Sequence, residues 1–529
     1  MSEVTKESLE TSLKQLSCTF TWQLFKKEQT LENLEEKIID SIGFLCPQSK
    51  ASAHNLLAYL KHLQGQNEEA LSCLKRAEEL TCQEHPDQAE VRNLVTWGNY
   101  AWLYYHMGRL EDSRIYLDKV AQTCRKFANP YKIDCPEMDC EEGWARLKWD
   151  IHNVERSKAC FERALEKKPD CLELRVGLAI ATWCQDEGSR PWRPQPVDVL
   201  RQTIALDPDN HFLKVLLALK LQKMNDIATG EKLVEEALEK SQSPDVFRLA
   251  AKFYRNQCCL EKALSLFEKA LEFQPDVSLL YHQIGCCYRT MASQIMHREK
   301  TGDLQGPEIR EKVQNLRAKA AEYMEKALEK KGPNYPNMYS DLAGMYGALG
   351  YHMKAENTFQ KILQMEQLTE KEKQQFHQRY GNFQQYFRGQ EDIAIHHYLE
   401  GVNIQEKSVE CERMKSRLQE LYHQGNQKPS SLQGWRLLGY FAKLNEDESL
   451  AIEYYEKALG ILLKHSSSGI ASLFPSPPSP EAEREGDPRR VNLPFQGPRN
   501  GVAFVLNGEN KTRHETGDAY EDVNGARKG

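Results

Sequence analysis

Arg248, Lys252 and Arg255 recur at intervals of four and three residues, a spacing that on a helix places three cations on one stripe. His282 and Arg289 follow in the next segment, and Arg436 and Lys443 near the end of the regular pattern. Such a row could hold phosphates, with Trp102, Tyr105 or Trp144 offering flat surfaces on which bases stack. The overall balance opposes a general nucleic-acid binder: 77 acidic residues outnumber 70 basic ones and the net charge is −7, so a cationic surface would have to be local and interior. The fifteen cysteines include no Cys-x-x-Cys pair. Cys258-Cys259 and Cys286-Cys287 are adjacent on predicted helices, where neighbouring side chains diverge, so reduced thiols are expected and no metal or cofactor. His106 and His152 lack an orienting partner in sequence, and no phosphate-binding lysine loop, dinucleotide fingerprint, zinc-protease motif or serine elbow is present. An enzyme is not expected.

The elements that must position these residues are short helices in pairs. The clearest copy reads Trp435-Arg436-Leu437-Leu438-Gly439, then Ala451, Tyr455 and Ala458. Another places Ala251 and Tyr254 on a first helix, Ala263, Phe267 and Ala270 on a second, and Pro275 at its end. Related sets centre on Gly65, Ala70, Leu74 and Ala77; on Trp97, Ala101, Gly108 and Leu117; on Phe161 and Ala164; and on Gly381, Ala394 and Tyr398. A degenerate copy spans Leu178 to Pro208, interrupted by Pro191, Pro194 and Pro196. Two short antiparallel helices cannot bury both apolar faces alone, so each pair must stack on the next. The pattern is that of tetratricopeptide repeats, and it predicts an all-α superhelical solenoid of about nine or ten helix-turn-helix units. The first helix of each pair is expected to line the concave face.

Residues 1–50 read as an N-terminal helical cap, 51–464 as the solenoid and 465–529 as a disordered tail, because Ser466-Ser467-Ser468 and Pro475-Ser476-Pro477-Pro478 open a stretch without helical periodicity. His297 to Ile309 is an irregular stretch inside the seventh repeat that is expected to extend a helix or to loop outward, with Gly302, Gly306 and Pro307 favouring a loop. Met1 to Leu13 is polar and charged, and no run reaches the ~20 apolar residues of a membrane span, so a cytoplasmic protein without membrane insertion is expected.

Longer blocks carry a more specific likeness. Asn55 to His62, Leu94 to Trp102, Asp139 to Trp144, Ala250 to Arg255 and His282 to Gly285 resemble the interferon-induced proteins with tetratricopeptide repeats, over a span from Met1 to about residue 475. Met1 to Lys6, Tyr281 to Tyr288 and Ser468 to Phe474 most resemble the third member, while Arg379 to Phe383 and Ala394 to Tyr398 also resemble the second.

The resemblance implies cytosolic antiviral defence and innate immunity. Some members grip the 5′ end of viral RNA in a basic tunnel; the third member resembles an adaptor that binds first and second members, supports their RNA capture, and links a mitochondrial antiviral signalling adaptor to its downstream kinase, with recruitment to mitochondria. For RNA, the resemblance points to Trp144 and Lys148, with Lys37 and Ser41 where tunnel members offer arginine and glutamine, and to a lining of Arg248, Lys252, Arg255, His282 and Gln283. Cys184 stands where those members carry an arginine, and a thiol cannot replace a bidentate guanidinium at a phosphate. For partners, Tyr455 to Leu459 resembles the helix through which members associate; Tyr455 and Leu459, one turn apart, form one apolar stripe. The expectation is a scaffold that binds its relatives through Tyr455 and Leu459. Direct recognition of RNA 5′ ends, or a clamp for an acidic peptide terminus, would use the basic groove instead.

Overall fold

The computed structural model describes residues 6–24, 49–125, 129–149, 153–186, 195–301, 306–330, 335–365, 368–404, 408–424 and 431–466. The described residues divide into two compact units, the first reaching Arg379 and including Ser408 and Val409, the second comprising 380–404 and the described residues from Glu410 to Ser466.

In the first unit, α1 (Lys6–Leu13) precedes helical pairs formed by α2 (Lys50–Leu63) and α3 (Asn67–Glu84), α4 (Ala89–His106) and α5 (Leu110–Cys124), and α6 (Pro136–Trp149) and α7 (Val154–Lys167). The pairs continue with α8 (Leu172–Asp186) and α9 (Gln195–Leu206), α10 (His211–Lys223) and α11 (Ile227–Lys240), and α12 (Pro244–Asn256) and α13 (Leu260–Phe273). Next come α14 (Ser278–Thr301) and α15 (Pro307–Lys330), then α16 (Pro336–Leu349) and α17 (His352–Leu363); α18 (Glu370–Phe383) crosses into the second unit. That unit adds a π-helical turn (Gln384–Arg388), α19 (Glu391–Asn403), α20 (Val409–Gln424), α21 (Leu432–Leu444) and α22 (Glu448–Ser466). The expected all-α tetratricopeptide architecture is what the chain adopts. No described helix is long and apolar enough to cross a membrane.

Local chemistry explains the boundaries. Proline begins α6, α12, α15 and α16, where its missing N–H would lack a helical partner anyway. Asn210, Asp226 and Ser431 cap the next helices through side chains that accept from Leu213, Thr229 and Gly434 N–H groups. Between paired helices the chain turns through a left-handed residue, supplied by Gly65, Gly108 and Gly350 but by Cys258 (φ 60°) and Glu446 (φ 61°) elsewhere.

Packing within and between pairs depends on small residues facing large ones. A Cβ added at Gly177 would lie 2.4 Å from Phe161 Cε1, and at Gly143 2.9 Å from Phe161 Cζ, so one phenyl ring is seated between two glycines on the first helices of successive pairs. Tyr398 covers Gly381 in the same way in the second unit, where its hydroxyl donates to Asn382 Oδ1 at 2.8 Å.

Two irregular stretches are more helical than the loop readings expected. Helix α14 extends past His297 to Thr301, the first of the two alternatives, and Pro307 begins α15 rather than lying in a loop; Gly302 lies outside the described residues. The degenerate copy is a helical pair, α8 and α9, with Pro196 buried at the start of α9; Pro191 and Pro194 lie outside the described residues.

The same substitution should therefore act with opposite signs at two helical glycines. Gly177→Ala should destabilise by about 1–2 kcal/mol, as the clash with Phe161 outweighs the gain in helix propensity. Gly344→Ala, with open space around its added methyl, should stabilise by about 0.5–1 kcal/mol in urea unfolding.

Candidate functional site: the inner face and the last helix

Buried charge is distributed unequally between the helices of each pair. In the first unit Arg92, Glu141, Arg146, Lys148, Asp186, Lys214, Lys220, Asp245, Arg248, His282 and Asp341 are buried, and all lie on first helices, α4 to α16. The second helices bury only small hydroxyls, such as Thr81, Ser113, Ser157 and Thr203, which donate to backbone carbonyls at 2.7–2.9 Å. A buried charge survives only where it is paired, hydrogen-bonded or solvated, so the first helices form a polar inner face.

Part of that face is covered by the chain itself. Thr19 N–H donates to Asn99 Oδ1 at 3.0 Å, and Asn99 Nδ2 donates to Thr19 Oγ1 and Asn55 Oδ1, each at 3.0 Å. Arg146 Nη2 donates to the Trp22 carbonyl at 3.0 Å, and Cys18 lies where a side chain on Gly98 would be. Residues 14–24 thus occupy the first helices of the opening three pairs, so an external peptide cannot use that surface without displacing them.

Beyond this strap, Arg92 joins three successive first helices. Its Nη1 donates to Glu141 Oε1 at 2.9 Å and its Nη2 to Glu173 Oε2 at 2.6 Å. Burial raises the Glu141 pKa, and the Arg92 charge opposes that rise. Lys148 Nζ donates to the Ser49 carbonyl at 2.5 Å, at the start of α2. Trp144 is buried with its ring edge-on to Phe161, 5.2 Å between centroids, so it packs in the core of its pair. Lys37 and Ser41 lie outside the described residues.

The basic stripe is assembled with partners that the linear pattern did not reveal. Lys252 and Lys220 stand 5.9 and 5.4 Å from the Trp183 ring, and Lys220 Nζ is 3.2 Å from Asp186 Oδ2. Arg248 is buried on α12, where its charge opposes the burial that raises the Asp245 pKa. Arg255 donates to Gln283 Oε1. Trp183 Nε1 and one oxygen each of Asp186 and Asp245 are buried without a hydrogen-bond partner among the described residues.

His282 is fully buried, its Nε2 3.0 Å from Asp341 Oδ2, while Arg289 Nη1 donates to Asp341 Oδ1 at 2.6 Å and Arg379 donates to the same oxygen. Burial opposes ionisation throughout this cluster. Even so, Cys286 and Asp341 raise His282 to about 9, and Arg289 and Arg379 hold Asp341 well below the usual carboxylate range. The inner face alternates cations with carboxylates rather than presenting uniform positive charge.

The second candidate is on α22. A Cβ at Gly439 would lie 2.6 Å from Tyr455 Cε1, so Tyr455 fills the large-residue slot against α21. Unlike Tyr398, which is fully buried, Tyr455 remains 39% exposed. Ile452 (59%), Leu459 (52%) and Leu463 (60%) extend it, and Leu462 is exposed beside them. Positions 452, 455, 459 and 463 repeat at three and four residues, which makes one apolar stripe along the helix. Sequence reading found Tyr455 and Leu459; Ile452 was legible as an apolar residue one turn earlier and was missed.

A tetratricopeptide-repeat family model matches residues 51–81, and with the paired helices it places the chain among tetratricopeptide-repeat proteins. The chain is 48% identical over 478 residues to human interferon-induced protein with tetratricopeptide repeats 2, covering 88% of this chain and 99% of that one. It is 45% identical over 464 residues to the human antiviral innate immune response effector IFIT1, covering 86% and 96%, and 42% identical over 416 residues to the mouse interferon-induced protein with tetratricopeptide repeats 3, covering 78% and 99%. The chain belongs to the family of interferon-induced proteins with tetratricopeptide repeats. These figures do not single out one member. Among solved structures it resembles the human IFIT1 dimer with PPP-AAAA (TM-score 0.67, 42% identity) and a monomeric IFIT1 mutant, carrying two leucine-to-glutamate substitutions, with Gppp-AAAA (TM-score 0.70, 44% identity). Each similarity covers 86% of this chain and 99% of the solved one.

Arg92→Ala should cost about 3–5 kcal/mol in unfolding experiments near neutral pH, because Glu141 would remain buried without its counter-ion. In that variant the Glu141 pKa is raised further, so its penalty is present above the pKa of the unfolded chain. The deficit should shrink as pH falls through the raised pKa and Glu141 takes up a proton.

Proposed function

We propose that this protein is an antiviral scaffold that associates with members of its own family through the exposed stripe of α22. The observation that carries the reading is the exposure of Ile452, Tyr455, Leu459 and Leu463 on one face of a helix whose opposite face is packed. IFIT1 supplies a supporting parallel, since it is described both as a dimer and as a monomer once two leucines become glutamates. A mirrored apolar helix from a relative is the natural occupant, because two such stripes bury each other by the same stacking that joins repeats within the chain. Through this assembly the protein would support RNA capture by its relatives in the cytoplasm and gather signalling proteins, including a mitochondrial antiviral adaptor and its downstream kinase.

A second reading, direct binding of RNA 5′ ends, draws on the buried cations of α10, α12 and α14 and on the solved IFIT1 structures with triphosphate and capped oligonucleotides. Lys252, Lys220 and Trp183 would provide charge and a ring for it, with Arg248, Arg255, His282 and Gln283 farther along. Against it stand the interleaved Asp186, Asp245 and Asp341, the buried Trp144, the Lys148 ammonium tied to a backbone carbonyl, and Cys184 in place of a guanidinium.

Sedimentation with purified IFIT1 tests the first reading. Wild-type chain should form a complex, and the double variant Ile452→Glu, Leu459→Glu should weaken it by at least about 100-fold, each lost apolar burial being worth about 1.5–3 kcal/mol. An unchanged complex excludes this face. Salt-sensitive binding of 5′-triphosphate RNA by the chain alone, abolished by Lys252→Ala, would instead favour the second reading.

A further inference from the structure

His282 and Cys286 stand four residues apart on α14, so both side chains leave the same face of the helix. Asp341 meets them from α16. His282 Nε2 is 3.0 Å from Asp341 Oδ2 and 3.7 Å from Cys286 Sγ, and one donor atom from each of the three residues lies within 4.8 Å of the others. All three side chains are buried.

Imidazole, thiolate and carboxylate are the donors that four-coordinate zinc takes, at bond lengths of about 2.0–2.3 Å. Tetrahedral geometry with those bonds places nitrogen roughly 3.6 Å from sulfur and 3.4 Å from oxygen. The nitrogen–oxygen and nitrogen–sulfur separations differ from these values by only a few tenths of an ångström, but Sγ also stands 4.0 Å from Nδ1, beside the ring, and the Cys286 side chain must turn toward Asp341 for the three donors to meet one ion. The remaining oxygen of Asp341 is already fixed by Arg289 and Arg379. Hydrogen bonds of this kind to the outer oxygen orient ligating carboxylates in metal sites. The two guanidiniums also compensate the charge of the carboxylate, which lowers its affinity for a cation. The thiolate must then supply much of the binding, and this favours a thiophilic ion over magnesium or calcium.

We propose that His282, Cys286 and Asp341 form a binding site for a thiophilic divalent cation, zinc by preference, with the fourth position left to water or to a ligand of the inner face. On binding, Sγ gives up its thiol proton and the imidazole gives up the proton on Nε2, keeping Nδ1–H. Both protons pass to solvent, and Oδ2 exchanges the imidazole N–H for the ion. No electron is transferred.

Full-length protein stripped with EDTA and titrated with Co²⁺ tests the site. A sulfur-to-cobalt charge-transfer band should saturate at about one ion per chain, vanish in Cys286→Ser, and persist when the exposed thiols are removed by Cys82→Ser and Cys259→Ser. Arg289→Gln, which leaves all three donors in place and removes one of the charges opposing a cation, should retain the band. A wild-type protein without the band, or a band that survives Cys286→Ser, overturns the assignment. Should Cys286→Ser fail to fold, X-ray absorption of the zinc-loaded wild type decides. One sulfur at about 2.3 Å among nitrogen and oxygen neighbours supports the site; no sulfur, or several, refutes it.

Discussion

Each helical pair of this protein leaves an apolar face that it cannot cover by itself, and the fold is the consequence of satisfying that need repeatedly. Close approach is possible because glycine faces an aromatic ring: Phe161 between Gly143 and Gly177, Tyr398 over Gly381, Tyr455 over Gly439. Where a neighbour follows, the ring is wholly enclosed, as for Phe161 and Tyr398. On α22 the same device leaves an exposed edge and an apolar stripe beside it. The feature assigned to partner binding is thus the repeat interface left partly open.

Since the stacked faces take the apolar residues, the polar side chains of the first helices are forced inward, and their charges must be satisfied there. Three solutions occur. Arg92 is matched by two carboxylates, Lys148 by a backbone carbonyl, and Lys220 by Asp186 together with the face of Trp183. Each ties down a cation that might otherwise face a polyanion. Asp186, Asp245 and Asp341 alternate with Lys220, Arg248 and Arg289 along this inner face, so its positive charge is locally compensated. Trp183 Nε1 and one oxygen each of Asp186 and Asp245 are buried on this face without a hydrogen-bond partner among the described residues.

The repeats were legible in the sequence because helical period, small-residue spacing and turn glycines all agree. Arg248, Lys252 and Arg255 were placed correctly on a first helix by spacing alone. What spacing could not give was pairing across helices. Asp341 is 59 residues from His282 and forms the core of its cluster, while Lys220 and Asp186 meet across 34. Trp144 read as a stacking platform because sequence shows an aromatic residue but not its neighbour Phe161. From His297 onward the sequence left helix extension and an outward loop both open, because the glycines and proline beyond it favour a loop while the helix itself continues to Thr301. The N-terminal strap was not anticipated, as its hold on the inner face depends on side chains such as Asn99, 80 residues away from Thr19.

The most direct test of the scaffold account is hydrogen–deuterium exchange on the full chain with and without an excess of IFIT1. If α22 is the docking element, amides of residues 448–463 should gain protection in the mixture while those of α12 and α14 stay unchanged. Protection confined to α12 and α14, with α22 exchanging as in the free chain, would contradict it.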